Sequence, residues 1–273
     1  MKSISQKLPS ATVMMNEKIT QVFAARTDTT GNTEDLADES ELYIMIYLTG
    51  DTHGDFRRVA AFCDRVQTSK DDTLIILGDA GINYYGNPKD KRLKQQLSEL
   101  PITLFCIHGN HEKRPQSIPS YEQADWNSGK VYVEPDFPSL LFAKDGELHE
   151  LDGKRCFVIG GAYSVDKYHR LANKWGWWPD EQPSEEIKVL VEQRLDVDDW
   201  RVDIVLTHTC PLRYIPTEVF LPGIDQSTVD NGTEEWLGEI ERRLTYNRWY
   251  CGHYHTDKTI DKIRFLFNDF ITL

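Results

Sequence analysis

The sequence predicts an α/β domain built around two β-sheets. Three observations predict it. In the first half, apolar runs of strand length alternate with apolar residues at helical spacing. In the second half the strands become shorter and are separated by turns such as Asp145-Gly146 and Asp152-Gly153. Throughout, apolar runs stop at Gly or Thr followed by Asp, Asn or His. A parallel α/β half leading into a more strand-rich half is the pattern of one domain with two sheets.

The elements follow in order. LYIMIYLTGD, from Leu42, predicts a buried strand ending in Gly-Asp, and Phe56, Val59, Ala60 and Cys63 predict a helix after it. TLIILGD (73–79) is a second such strand. Lys89 to Leu100 predicts a polar surface helix, and ITLFCIHGN (102–110) a third strand entering a turn. VYVEP, LLFAKDGELHEL and KRCFVIGG predict shorter strands. Residues 161–185 look irregular. Ile187, Leu190, Val191 and Leu195 mark another helix, DIVLTH (203–208) another strand, and Trp236, Leu237, Ile240 and Leu244 a further helix. RWYCGHYH (248–255) runs from strand into turn, and KIRFLFNDFITL closes the chain as a β segment.

Residues 1–41 have a different composition. TDTTGNTEDLADESE has almost no apolar content, which predicts a flexible polar leader before a domain at 42–273. Met45 stands just ahead of the first motif-bearing strand and is an alternative start, which would make the leader an upstream extension. The first ten residues lack the apolar core of a secretory signal. The five cysteines show no CxxC pair and read as reduced thiols, so the cytoplasm is the expected compartment. The run from Leu42 to Leu48 is too short to span a bilayer, and no membrane association is expected. With a formal net charge of −13, most of the surface would repel nucleic-acid backbone, so no duplex partner is expected.

The chemistry gathers at strand ends. Asp51 and His53 lie in GDTHG, Asp79 in GDAG, Asn110 and His111 in GNHE, His208 in THTCP, and His253 and His255 in GHYH. Ligands of α/β folds collect at the carboxyl ends of strands, and Gly lets the backbone approach a site closely. Carboxylate, amide oxygen and imidazole suit Mn, Fe, Zn or Ni. Leaving His111 aside, seven such groups are too many for one tetrahedral zinc and suit two ions sharing a carboxylate. Taken singly, an Asp-x-His, a lone His or a Gly-Asp turn means little. Five in order, each ending an apolar run, mean more.

The ordered set GDTHG, GDAG, GNHE, TH and GHYH resembles the calcineurin-like metallophosphoesterase superfamily, over about Tyr47 to His255. The resemblance implies a two-sheet β-sandwich flanked by helices, a four-layer α/β/β/α architecture. It implies a first metal on Asp51, His53 and His255, a second on Asn110, His208 and His253, and Asp79 bridging both. The cofactors are then two divalent ions, with Mn first and Fe, Zn or Ni as alternatives. The implied reaction is hydrolysis of a phosphate mono- or diester by attack of a metal-activated hydroxide on phosphorus, with His111 beside the leaving group as general acid. The expected partner is a phosphorylated small molecule or a nucleotide.

One departure bears on substrate. GDAGINYYG lacks the second Asp and the Arg of the GDxVDRG segment found in the superfamily's protein phosphatases. A Ser/Thr phosphatase is therefore an alternative rather than the first reading, as is a catalytically silent binding module, which retention of all seven ligands disfavours. Arg170, in GGAYSVDKYHR, is a candidate to fork onto phosphate, or else to pair with Asp166 four residues before it on a helix. Trp175, Trp177 and Trp178 are candidates to stack on a base or aryl group, or to cap the core. Arg57, Arg58, Lys113 and Arg114 lie near the motifs as local or merely solvated charges. His108, His149 and His169 are expected to be structural or surface residues.

Overall fold

The computed structural model describes residues 44–273. The leader expected at residues 1–41 lies outside the described residues.

The four parallel strands of the first sheet are apolar on both faces, because each is covered twice. β1 (Ile46–Thr49), β2 (Thr73–Ile76), β3 (Thr103–Cys106) and β6 (Leu140–Ala143) run parallel in one sheet. β5 (Gly129–Val133) and β4 (Glu122–Trp126) extend it antiparallel at one edge, and β13 (Ile271–Thr272) pairs antiparallel with β1 at the other. The second sheet has β8 (Lys154–Ile159), β9 (Ile204–Thr207), β10 (Arg248–Cys251) and β12 (Ile263–Phe265) in parallel. Its two edges, β7 (Leu148–Leu151) and β11 (Lys258–Ile260), are antiparallel. The first sheet's order is β13-β1-β2-β3-β6-β5-β4 and the second's is β11-β12-β10-β9-β8-β7.

The period-2 alternation of strands sorts their side chains into layers. Ile46, Leu48, Ile75, Leu77, Phe105 and Ile107 face a central core shared with Cys156, Val158, Ile204 and Leu206 of the opposite sheet. The intervening residues Tyr47, Leu74, Ile76, Leu104 and Cys106 face outward, onto Val59, Phe62 and Cys63 of α1 (Arg57–Val66) and Leu97 of α2 (Pro88–Leu97). Phe157, Ile159, Val205 and Trp249 face outward from the second sheet onto α4 (Glu185–Val197) and α5 (Gly232–Arg243). The result is the expected four-layer α/β/β/α sandwich. The helix starts follow local chemistry. Asn87 caps α2 by accepting from the Lys89 amide at 2.9 Å, with Pro88 at the first helical position. Ser184 caps α4, accepting from the Ile187 amide at 3.4 Å.

Three expectations need correction. Of the strand expected from Leu42, the start lies outside the described residues; among the described ones Ile44 is exposed and the strand begins at Ile46. The closing β segment is divided between the sheets: β12 joins the second, while β13 crosses back to the first. The irregular 161–185 stretch contains a short helix, α3 (Lys167–Ala172). All five cysteines are buried free thiols. Among the described residues no helix is long and apolar enough to cross a membrane.

Candidate metal centre

Every candidate ligand lies just beyond the carboxyl end of a parallel strand. β1 leads to Asp51 and His53, β2 to Asp79, and β3 to Asn110 and His111. β9 leads to His208, and β10 to His253 and His255. Three of these strands belong to one sheet and two to the other, so the centre forms where both sheets end on the same side.

The turns that place these residues are tight. His53, Asp79, His253 and His255 all adopt positive φ, between 47° and 65°. That conformation costs about 1–3 kcal/mol at a non-glycine residue and persists only where surroundings enforce it. The enforcement is steric at two glycines. A Cβ on Gly109 would fall 2.0 Å from Asp79 Oδ1, and one on Gly252 would fall 2.3 Å from Asp51 Oδ1.

Each carboxylate is held by one oxygen and presents the other. The His253 amide donates to Asp51 Oδ1 at 3.0 Å, and the His111 amide donates to Asp79 Oδ1 at 2.8 Å. Asp51 Oδ2 lies 3.3 Å from His255 Nε2 and 3.7 Å from His53 Nε2. Asp79 Oδ2 lies 3.5 Å from His111 Nδ1, 3.7 Å from His208 Nε2 and 3.9 Å from His53 Nδ1. His208 Nδ1 donates to the Leu77 carbonyl at 2.8 Å, which leaves the Nε2 lone pair facing Asn110 Oδ1 at 2.9 Å. Three groups converge with their ligand atoms within 4.8 Å of one another: Asp51, His53 and His255; Asp51, Asp79 and His208; and His53, Asp79 and His111. His111 thus stands inside the cluster as well as beside it. The His253 ring joins none of the three groups. It packs on the His208 ring at 4.8 Å between centroids.

The electrostatics fit divalent cations. Burial opposes ionisation of Asp51 and Asp79, both 2% exposed, yet the surrounding histidines more than offset it and hold both below the usual carboxylate range. Burial keeps His53 below its usual value and takes His253 down to about 3, so both rings are neutral and offer lone pairs. Asp51 Oδ2 is buried without a hydrogen-bond partner among the described residues. Asp51 in turn raises His255 above the usual imidazole value, so the neutral rings are those of His53 and His253. Two ionised buried carboxylates, one with an orphaned oxygen, beside these lone pairs form a donor set for metal ions rather than for a hydrogen-bonded core.

Residues outside the motifs brace these loops. Arg58 is not a solvated charge. It donates to the Gly50 and Asp51 carbonyls, both at 2.8 Å, and clamps the end of β1. Arg114 is buried and paired with Asp145, whose Oδ1 accepts from the Gly160 amide at 2.6 Å. Glu112 is fully buried and accepts from the amides of Gly81 at 3.1 Å and Gly109 at 3.3 Å. It ties the Asp79 loop to the Asn110 loop, and burial together with Asp79 pushes its pKa up to about 8.

Arg170 reaches the centre in a particular way. Its Nε donates to Asp166 at 2.7 Å, its Nη1 to Tyr84 Oη and the Gly176 carbonyl, both at 3.1 Å, and its Nη2 lies 3.0 Å from His111 Nδ1. It pairs with Asp166 on α3 and also abuts His111, at 7% exposure. The tryptophans stand elsewhere. Trp177 donates to Glu181 at 2.7 Å, and Lys167 lies over its ring at 4.5 Å. Lys113 lies 5.5 Å over the Trp178 ring. None of them lines the cavity of about 400 Å³ that opens on Asp79, Asn110, His111, His253 and His255. Its remaining wall comes mainly from 215–234. That segment includes the apolar run Val219-Phe220-Leu221 set outside any strand or long helix, which was the available sequence signal.

A family model described as calcineurin-like phosphoesterase matches residues 44–257. The solved structures that match share little sequence with this chain. One crystal structure is 10% identical with a TM-score of 0.46, covering 81% of this chain and 88% of its own. TT1561 of Thermus thermophilus is 13% identical with a TM-score of 0.42, covering 77% and 82%. The protein of unknown function AQ665 from Aquifex aeolicus is 16% identical with a TM-score of 0.31, covering 61% and 81%. No curated protein matches the chain.

Proposed function

We propose that this chain, which belongs to the calcineurin-like phosphoesterase family, is a hydrolase of phosphate mono- or diesters that works with two divalent ions. The observation that carries the reading is the pair of buried carboxylates, Asp51 and Asp79, each offering one oxygen to a ring of imidazole nitrogens within 4 Å. Asp51, His53 and His255 would hold one ion and Asn110, His208 and His253 the other, with Asp79 between them. Mn heads the candidates, before Fe, Zn and Ni. Bound there, such ions supply Lewis acidity toward phosphoryl oxygens and lower the pKa of water toward neutrality.

The chain's own residues do the rest. His111 lines the cavity beside Asp79 and can deliver a proton to a departing alkoxide. Burial and the Arg170 charge oppose its charging, while Asp79 and Asp166 outweigh them and shift its pKa upward. Asp166 and Arg170 fix the orientation of its ring. The cavity carries the organic part of the ester. A phosphorylated small molecule or nucleotide is the partner we infer.

The test is a paired assay on metal-stripped protein reloaded with Mn, comparing p-nitrophenyl phosphate with bis-p-nitrophenyl phosphate. Turnover of at least one is expected, with Asp79→Asn lower by about 100-fold or more. Turnover of neither, with two ions bound, would overturn the hydrolase reading. Near wild-type turnover in Asp79→Asn at saturating metal would remove Asp79 from the bridging role.

A further inference from the structure

The cavity beside the metal centre has a character that the motifs do not dictate. Ile215, Val219, Phe220, Leu221 and Ile224 supply much of its wall. These residues come from the irregular connection between β9 and α5; Ile215 packs against the core of the second sheet, while Leu221 is 64% exposed. Small-molecule sites have this makeup, a mostly apolar surface with a few placed polar groups.

The histidines of the centre aside, the titratable groups placed there are acidic. Asp166, Asp230 and Glu234 line the cavity in addition to Asp79, and no Lys or Arg is among its lining residues. Asp166 is paired with Arg170, and burial pushes the pKa of Glu234 up to about 7. Glu234 is the informative one. It is 3% exposed, on the first turn of α5, and the Thr209 hydroxyl donates to its Oε1 at 2.7 Å. Its Oε2 is buried with no hydrogen-bond partner among the described residues. A buried carboxylate oxygen left unpaired on a residue that lines an apolar-walled cavity can accept from a donor that reaches it from that cavity.

We propose that this cavity binds the organic group of the ester, and that this group is apolar, uncharged or cationic, and carries an N–H or O–H donor that meets Glu234. The proposal rests on the hydrolase reading of the same centre. Polyanionic substrates such as nucleoside triphosphates and oligonucleotides are disfavoured, because further phosphates would face Asp230 and Glu234 with no Lys or Arg in the wall to receive them. The apolar wall replaces the tryptophan segment as the surface against which the substrate packs.

Calorimetric titration of the Mn-loaded full chain with non-hydrolysable alkylphosphonates tests this directly. From methyl- through propyl- to pentylphosphonate, affinity should rise about fourfold per methylene. The ω-amino derivative of pentylphosphonate should bind about tenfold tighter than the parent, and the ω-carboxy derivative at least about tenfold weaker. Replacing Phe220 and Ile224 with Ser, in an exposed connection, should flatten the length series. Glu234→Gln should abolish most of the amino advantage. A flat series in the wild type, or the same slope in the double Ser variant, would overturn the apolar assignment. Equal binding of the amino and carboxy derivatives would overturn the assignment of Glu234. Flat affinity with ester hydrolysis intact sinks this proposal alone, whereas a length-dependent affinity without hydrolysis sinks only the hydrolase reading.

Discussion

At the scale of single residues, the guanidinium of Arg170 serves four partners at once, and only a planar fork can do so. A lysine would keep the charge but reach one or two of them. We therefore expect Arg170→Lys to lower kcat on bis-p-nitrophenyl phosphate about tenfold, with KM within about twofold, since His111 loses orientation rather than identity. Steady-state kinetics at constant metal content is the check. An equal change confined to KM would instead make Arg170 a direct contact to the phosphoryl group. For His111→Ala the loss should be larger with poor leaving groups than with p-nitrophenolate, and an equal loss across leaving groups would rule out proton delivery.

At the scale of elements, strand ends and hairpins bear the strain. Because a Cβ at residue 109 would overlap the Asp79 carboxylate, Gly109→Ala must displace that side chain or its backbone. The variant should lose metal stoichiometry and be less stable by about 1–3 kcal/mol. Elemental analysis of the purified variant decides it, and full metal content would show that the loop yields without cost. The β4–β5 hairpin offers a different test. His149 on β7 is fully buried between Phe105 and Trp126, with ring centroids 5.0 and 5.5 Å away. Its Nδ1 lies 3.0 Å from the Trp126 carbonyl, and burial keeps its pKa below the unfolded value of 6.5. The unfolded chain therefore binds the proton more readily. Stability from this site is full above pH 6.5 and is lost as pH falls from there toward the lower folded value. Melting temperatures of wild type and His149→Gln between about pH 8 and 5 should converge as pH drops. Parallel curves would show that His149 does not titrate on unfolding.

At the scale of the molecule, the metal centre draws on five strands of two sheets, so occupying it ties the sandwich together at one end. Ions that bind only the folded chain stabilise it by mass action, by about 2.7 kcal/mol per site at a hundredfold excess over Kd. For a domain of this size, chelation of both ions should lower the melting temperature by about 10–20 °C. Calorimetry with and without chelator would show it, and an unchanged transition would mean that the carboxylates are content without cations.

The layers, the strand-end turns and the identity of the residues gathered at the centre were legible in the amino-acid order, because each depends on local patterning. Alternation sorts a strand's two faces, and a Gly beside Asp, Asn or His marks a turn wherever it occurs. The wall of the cavity, the orphaned oxygen of Glu234, the grip of Arg170 on His111 and the return of β13 to β1 were not legible. Each is a meeting of segments far apart in the chain: Arg170 and His111 are 59 positions apart, and Thr209 and Glu234 are 25. Composition carries no record of such meetings. An exposed apolar run in a connecting segment looks the same in sequence whether it lines a site or rests on solvent. Only the packing of both sheets, which brings the 215–234 segment to the edge where the strands end, decides between them.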